Sequence, residues 1–334
     1  MKIGIVGLPN VGKSSLFNLL TNAGAQVANF PFTTIDRNVG MVSIQDPRLD
    51  HIVGITKSPK MRYASIEFLD IAGLIKDAHK GEGLGNQFLS HIRDVDCIVH
   101  LLRCFEAPDV AHTSSQLSPN DDYSVVRTEL LLADLEIVER RIEKIKKSAE
   151  FREELQKLNR MKEELGQGKT PGETHKDIPL LTTKKEIVVL NMDDEGKFAG
   201  GPDGFKVSVK LEEETAEFTE EEKVELREDA GLDTRGLDGL VRLCMEELSI
   251  ILFYTIKGEE ARAWSVAGGT KVLDAAGKIH TDMQKGFIKA EVLAYDDFIK
   301  AGGFGEAQNL GYTKIEGKEY IVRDGDIILI KFRG

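Results

Sequence analysis

The stretch K-I-G-I-V-G-L-P-N-V-G-K-S-S at residues 2–15 narrows the fold before any other feature does. Five residues with an apolar, β-branched character are followed at once by G-x-x-x-x-G-K-S, matched by Gly7, Gly12, Lys13 and Ser14. The pattern needs a buried parallel strand ahead of it and a helix behind it, because only that setting turns consecutive backbone N–H groups toward one anion. The glycines let the backbone wrap phosphates, Lys13 neutralises the β and γ oxygens, and Ser14 offers its hydroxyl to Mg²⁺. Asn10, Val11, Gly12, Lys13, Ser14 and Ser15 are therefore the expected phosphate-contacting positions.

The rest of the first 250 residues agrees with a phosphate loop set in an α/β sheet. Residues 13–22 read as a helix with Leu16, Leu19 and Leu20 on one side. Further strands are expected at 38–44, 63–69, 96–102, 186–191 and 205–209, with helical patterns between several of them. Residues 123–166 break this rhythm: they are rich in Leu, Glu, Lys and Arg and hold neither Gly nor Pro until Gly166. Leu135, Val138, Ile142 and Ile145 keep a 3-4 spacing, and the phase slips near Ala149–Phe151, which predicts two helices folded into a hairpin. From about 250 onward short alternating strands and Gly-rich turns predict a small β-rich domain.

Two more elements bear on the metal and the γ-phosphate. N-F-P-F-T-T-I-D at 29–36 places Thr34, with Thr33 as its rival, where a threonine would complete the Mg²⁺ shell. D-I-A-G-L at 70–74 ends a strand, so Asp70 would hold Mg²⁺ through water and the Gly73 N–H would meet the γ-phosphate. Ras-like GTPases carry a Gln after that glycine to orient water, whereas this chain has Leu74. Hydrolysis is then slow or assisted. Asn10, together with phosphate oxygens, could hold a K⁺ where an arginine finger would otherwise bring charge. His112, in the loop A-P-D-V-A-H-T-S-S-Q, could reach the water if that loop closes.

The base is undecided at this level. A GTPase would carry N-K-x-D where this chain has Asn191-Met192-Asp193-Asp194. Met192 offers an apolar packing surface, Asn191 can bond a purine at N7 or an N6 amine, and Asp194 stands where guanine recognition wants a carboxylate. Ser208-Val209-Lys210 looks like the S-A-K loop that supports guanine.

Charge excludes little. The net charge is −12, and residues 193–229, with fourteen acidic and five basic side chains, supply −9 of it. The remainder is near neutral, so a nucleic-acid partner stays open. Cys97, Cys104 and Cys244 form no CxxC pair, which argues against a disulfide framework or zinc site. The apolar runs are too short for a bilayer, and a cytoplasmic location is expected.

With these pieces in place, the chain resembles the YchF-type Obg-like ATPases nearly end to end. G-L-P-N-V-G-K-S-S, N-F-P-F-T-T-I-D, the run from Asp70 to Asp96 and the E-L-L-L-A-D-L-E helix start look like that family's nucleotide-domain signatures. R-A-W-S-V-A-G-G-T-K-V-L-D-A-A-G-K-I-H-T-D and E-G-K-E-Y-I-V-R-D-G-D-I-I-L-I-K-F look like its C-terminal TGS domain. The resemblance implies an α/β P-loop NTPase G domain over 1–122 and 178–249, a helical coiled-coil insertion over 123–177, and a β-grasp, ubiquitin-like TGS domain over 250–334. It implies ATP hydrolysis in preference to GTP, a part for His112 in hydrolysis, and adenine contacts from Asn191 and Met192. The family usually closes that last motif with Glu, so Asp194 keeps GTP open as a second substrate. Ser208 belongs to the same expected pocket. The implied partner is the ribosome, through its large subunit or ribosomal RNA. Arg140, Arg141, Lys144, Lys146 and Lys147 near the hairpin tip could meet RNA phosphates, or could form an ordinary solvated face with pairs such as Glu136–Arg140 and Glu143–Lys147.

Overall fold

The computed structural model describes residues 1–25, 39–71, 84–106, 117–195, 198 and 200–333. By contact the chain divides into two units. Among the described residues, the first holds 1–21, 39–40, 67–71, 84–106, 117–195, 198 and 200–240, and the second 22–25, 41–66 and 241–333.

In the first unit, β1 (Lys2–Val6) lies between the end of β4 (Ala64–Asp70) and β5 (Cys97–Cys104). The sheet continues through β6 (Lys185–Met192) to β7 (Phe205–Val207), and all these neighbours are parallel. All eight residues of β5 are buried: six are Cys, Ile, Val or Leu, as a strand covered on both faces should have, and two, His100 and Arg103, are polar. The β5–β6 register runs without slip from Cys97↔Lys185 to Cys104↔Met192, so residues 105 and 193 leave the sheet side by side. The strand expected at 205–209 stops at Val207. Ser208 takes the N-cap of α6 (Val209–Glu214) instead, its hydroxyl accepting from Leu211 N at 3.2 Å, which turns the chain into a helix.

The Leu-rich segment forms α4 (Pro119–Ile145) and α5 (Arg152–Gly166), separated by a single 3₁₀ turn at Ala149–Phe151, where the periodicity slips. Ser118 caps α4 and Pro119 occupies its first turn. The two helices run antiparallel. Val138, Ile145, Leu158, Met161 and Leu165 are buried between them, and Arg141–Glu154 (2.7 Å) and Glu139–Lys162 (2.8 Å) flank that seam. Arg140 pairs with Glu136 as expected. Glu143 takes Lys146 rather than Lys147. At the base of α4, Glu186 of β6 receives bonds from His100, Tyr123 and Arg127, which ties this helix to the sheet.

In the second unit the strand order is β11-β10-β12-β8-β9-β3. Strands β8 (Ile250–Lys257), β9 (Glu260–Ala267), β10 (Phe287–Ala294) and β12 (Asp326–Phe332) carry the sheet, with short β3 (Lys60–Arg62) and β11 (Lys314–Glu316) beside β9 and β10. Phe253, Val266, Ala290, Val292 and Ile328 pack with Val272, Ala275 and Ala276 of α9 (Val272–Ile279). α2 (Pro47–Thr56) and β3 belong here and have no counterpart in the elements read from the sequence. Asp46 caps α2 and accepts from Arg48 and from the Tyr254 hydroxyl (2.6 Å), while Arg48 reaches Asp324 at 2.6 Å. Burial would raise the Asp46 carboxyl, but the Arg48 and Tyr254 bonds outweigh it and hold the group below its ordinary value.

Asp134 on α4 is fully buried and accepts three bonds, from Leu181 N (2.8 Å), Thr182 N (2.9 Å) and Thr182 Oγ1 (2.7 Å). It fixes the return of the chain from α5 toward β6. Replacing it with Ala strands two backbone donors and a hydroxyl away from water. Asp134→Ala is expected to cost roughly 3 kcal/mol of stability in urea unfolding followed by circular dichroism. Asp134→Asn should cost less, since its amide oxygen keeps part of the set.

Candidate nucleotide site

The loop between β1 and α1 (Lys13–Ala25) has the backbone its sequence demands. Gly7 has φ +154°, and a Cβ there would lie 2.4 Å from the Leu101 carbonyl oxygen. Gly12 has φ +97°, and a Cβ there would lie 2.6 Å from the Asn191 amide nitrogen. Asn10 adopts φ 63°, a left-handed conformation that Asn tolerates better than most residues. Val11 is buried beside it.

Lys13, only 7% exposed, donates to the Leu8 carbonyl at 2.7 Å, so its ammonium lies back across the loop it serves. Burial pushes its pKa down to about 8, against a smaller upward pull from the Asp70 carboxylate. The Ser14 hydroxyl donates to Asp70 Oδ2 at 2.7 Å. One hydroxyl and one carboxylate thus converge at the N-terminus of α1. This is a hard-oxygen pair that suits Mg²⁺, which takes few protein ligands and keeps waters and phosphate oxygens. Among the described residues no three His, Cys, Asp or Glu side chains cluster as a metal cage.

A cleft of about 320 Å³ opens beside this loop, lined in part by Gly12, Ser15, Met192, Asp194 and Lys210. Asn191 forms its floor. Its amide nitrogen donates to Val11 O at 2.9 Å, and its amide oxygen accepts from Val209 N at 3.1 Å. One side chain thereby ties the phosphate loop, the end of β6 and the start of α6. Ser208, fully buried, acts through its cap on α6. At the lip, Lys210 donates to Asp194 Oδ2 at 2.6 Å. That bond holds the Asp194 carboxyl below its ordinary value.

The structure therefore brings together Asn10, Val11, Gly12, Lys13, Ser14, Ser15, Asp70, Asn191, Met192, Asp194 and Ser208 around one loop and one cleft. Thr34, Gly73 and His112, together with Leu74, lie outside the described residues. Phe105, Glu106 and Glu213 also line the cleft and were missed from the sequence. The Arg103 side chain braces the first of them, with its Nε donating to Phe105 O at 3.1 Å and its guanidinium 4.8 Å from the ring centre. The only signal was register: residue 105 follows the strand that pairs with the one carrying Met192.

A glycine-bounded loop between a buried parallel strand and a helix, with Lys, Ser and a strand-end Asp at its mouth, defines a P-loop nucleoside triphosphate-binding protein. Comparison with known proteins makes this finer. Residues 2–157 match a family model described as 50S ribosome-binding GTPase, and residues 250–333 match the YchF-GTPase C-terminal model, described as a protein of unknown function. The chain is 41% identical to the ribosome-binding ATPase YchF of Haemophilus influenzae over 99% of both chains. It is 40% identical to that of Bacillus subtilis over 98% of both. Among solved structures, the Schizosaccharomyces pombe YchF GTPase superposes with a TM-score of 0.84 at 31% identity, over 99% of this chain and 97% of that one. The chain belongs to the YchF family.

Lys13 carries a prediction. Phosphates bind the ammonium form, and the free protein releases that proton near pH 8. Nucleotide affinity is expected to stay level below pH 8 and to weaken by up to tenfold per unit above it, until the phosphate-raised pKa of the bound state is reached. Without nucleotide the sign is opposite for stability: the unfolded chain holds the proton longer, so folding gains as pH rises from about 8 toward the ordinary lysine value. Titration calorimetry between pH 6.5 and 9.5 checks the first statement, and thermal unfolding over the same range checks the second.

Proposed function

We propose that this chain is a Mg²⁺-dependent nucleoside triphosphatase that hydrolyses ATP slowly, with GTP as a second substrate, and acts in the cytoplasm as a nucleotide-dependent, ribosome-associated switch. The carrying observation is the Lys13, Ser14 and Asp70 arrangement in a chain 41% identical, end to end, to a protein named a ribosome-binding ATPase. Lys13 leaves Leu8 O to neutralise the β and γ oxygens. Ser14 and Thr34, with Asp70 through water, would hold Mg²⁺, and the ion would supply charge neutralisation on the transferred phosphoryl group. Gly73 N–H contacts the γ-phosphate. The Leu74 side chain has no polar atom to orient water, so His112 would take that part, or Asn10 with phosphate oxygens would hold a K⁺ as a further source of positive charge.

In this reading residues 1–122 and 178–249 form the G domain, 123–177 a coiled-coil insertion and 250–334 a β-grasp TGS domain. The latter two are recognition parts for the large ribosomal subunit or its RNA. Lys144 and Lys147 support this: both are exposed at the α4 end and form no ion pair among the described residues. Asp194 favours a second reading, a GTP-specific GTPase, because its carboxylate lines the cleft and would accept from the guanine N1–H and exocyclic amine.

Titrating ATP and GTP into the protein separates the two, and GTP bound tenfold tighter would sink the ATPase reading. Lys13→Ala is expected to lower ATP turnover by about 100-fold or more, as loss of one transition-state charge contact does. In cosedimentation with ribosomes, the wild-type chain should bind differently with ATP and with ADP, and Lys13→Ala should show no difference. Equal ribosome binding by the wild-type chain with both nucleotides would leave a binding module rather than a switch.

A further inference from the structure

Lys210 stands at the lip of the cleft, one residue after the Val209 N–H that Asn191 holds. α6 begins here, its first turn fixed by the Ser208 cap, so the position of Lys210 is set by the same brace that sets the phosphate loop. Its ammonium donates to Asp194 Oδ2 at 2.6 Å and lies 4.0 Å from Glu214. Asp194 is the carboxylate that a guanine-reading loop would present to N1–H and the exocyclic amine. Here one of its oxygens already has a cationic donor, and its charge is offset by a neighbour on the adjoining helix.

The two purines respond to that pair in opposite ways. Guanine offers two donors and gains most from a carboxylate that is free to turn toward it. Adenine offers a lone pair at N1 and no amine at C2, so a bare carboxylate at that edge repels it. A carboxylate neutralised by an ammonium repels it far less. We propose that Lys210 is a specificity-determining residue, which selects adenine over guanine by holding Asp194 in an ion pair at the mouth of the base cleft.

This rests on the reading of the cleft as the base pocket, and it extends to a residue that contacts Asp194 rather than the phosphates. Both side chains are well exposed, Lys210 at 62% and Asp194 at 39%, so the bias is modest and salt-sensitive.

The test measures ATP and GTP dissociation constants by calorimetry, with Mg²⁺, at about 0.05 M and about 0.5 M salt, where screening differs most. The variants are Lys210→Met, Asp194→Asn and the double variant. Both residues are exposed on the surface, and circular dichroism verifies that each variant is folded. Lys210→Met keeps the aliphatic stem and removes the charge. It is expected to move the affinity ratio toward GTP by about fivefold at low salt, the factor for the upper end of an exposed ion pair. Adding Asp194→Asn should cancel that gain, because the freed carboxylate is what guanine uses. The wild-type ratio should drift toward GTP as salt rises, and that of Lys210→Met should not.

A ratio unchanged within twofold in Lys210→Met overturns the proposal. So does an equal GTP gain in the double variant, which would show that Asp194 plays no part. The wild-type ATP-to-GTP ratio by itself judges the ATPase reading, and the shift between wild type and variant judges Lys210, so the two can fail separately.

Discussion

The Asn191 side chain is the constraint on which the site depends. Its amide bonds to Val11 O and Val209 N reach across 180 and 18 residues respectively, and they join the three chain segments that frame the cleft. The bridge explains a neighbouring requirement. Gly12 must lack a Cβ because the Asn191 amide nitrogen occupies that space at 2.6 Å. An amide suits the task where a carboxylate would not, since one partner is an acceptor and the other a donor. Being 4% exposed, the bridge is shielded from competing water. One buried side chain thus ties the phosphate loop to the end of β6 and the start of α6.

Around that brace the polar groups of the phosphate end are already engaged with one another. Lys13 with Leu8 O and Ser14 with Asp70 each make a short bond within the loop and its neighbouring strand. A buried ammonium without an acceptor would cost several kcal/mol, and the carbonyl only partly offsets this, which is why the lysine pKa falls to about 8. Phosphate oxygens are far stronger partners for the same group than a carbonyl is. The arrangement therefore holds Lys13 in reserve near its working position, at a cost in the free state that anion binding removes.

Much of this was legible in the sequence where the determinants are contiguous. The phosphate loop, its strand and its helix lie within residues 2–25, and the hairpin slip at 149–151 shows in the spacing of leucines and isoleucines. Long-range effects were not. Asn191 offers several hydrogen-bonding choices in sequence, and only the fold commits its amide to Val11 and Val209. Phe105 and Glu106 enter the cleft through the β5–β6 register, which no local pattern encodes. Ser208-Val209 reads as strand by β propensity, yet a serine cap and the Asn191 bond start a helix there. α2 is short and ends in Lys57 at φ 52°, a left-handed cap that usually falls to Gly or Asn, so its end is marked only by Pro59 and its start by Asp46-Pro47.

The division of labour within the cleft follows from burial. Phosphates are common to every nucleoside triphosphate, and their contacts come from a loop whose geometry tolerates almost no change: a Cβ at Gly7 would run into the Leu101 carbonyl. Selection between bases needs only a difference of donor and acceptor at one edge, and in the proposed base pocket that edge would meet Asp194 and Lys210, which face solvent. Substitution there leaves the buried frame of Asn191, Val11 and Val209 untouched. On that proposal base preference would shift in small steps through exposed charges, with Lys13, Ser14 and Asp70 left in place. The proposed solvent-facing pair would also couple preference to ionic strength, because screening weakens Asp194–Lys210 far more than it weakens the buried bonds below.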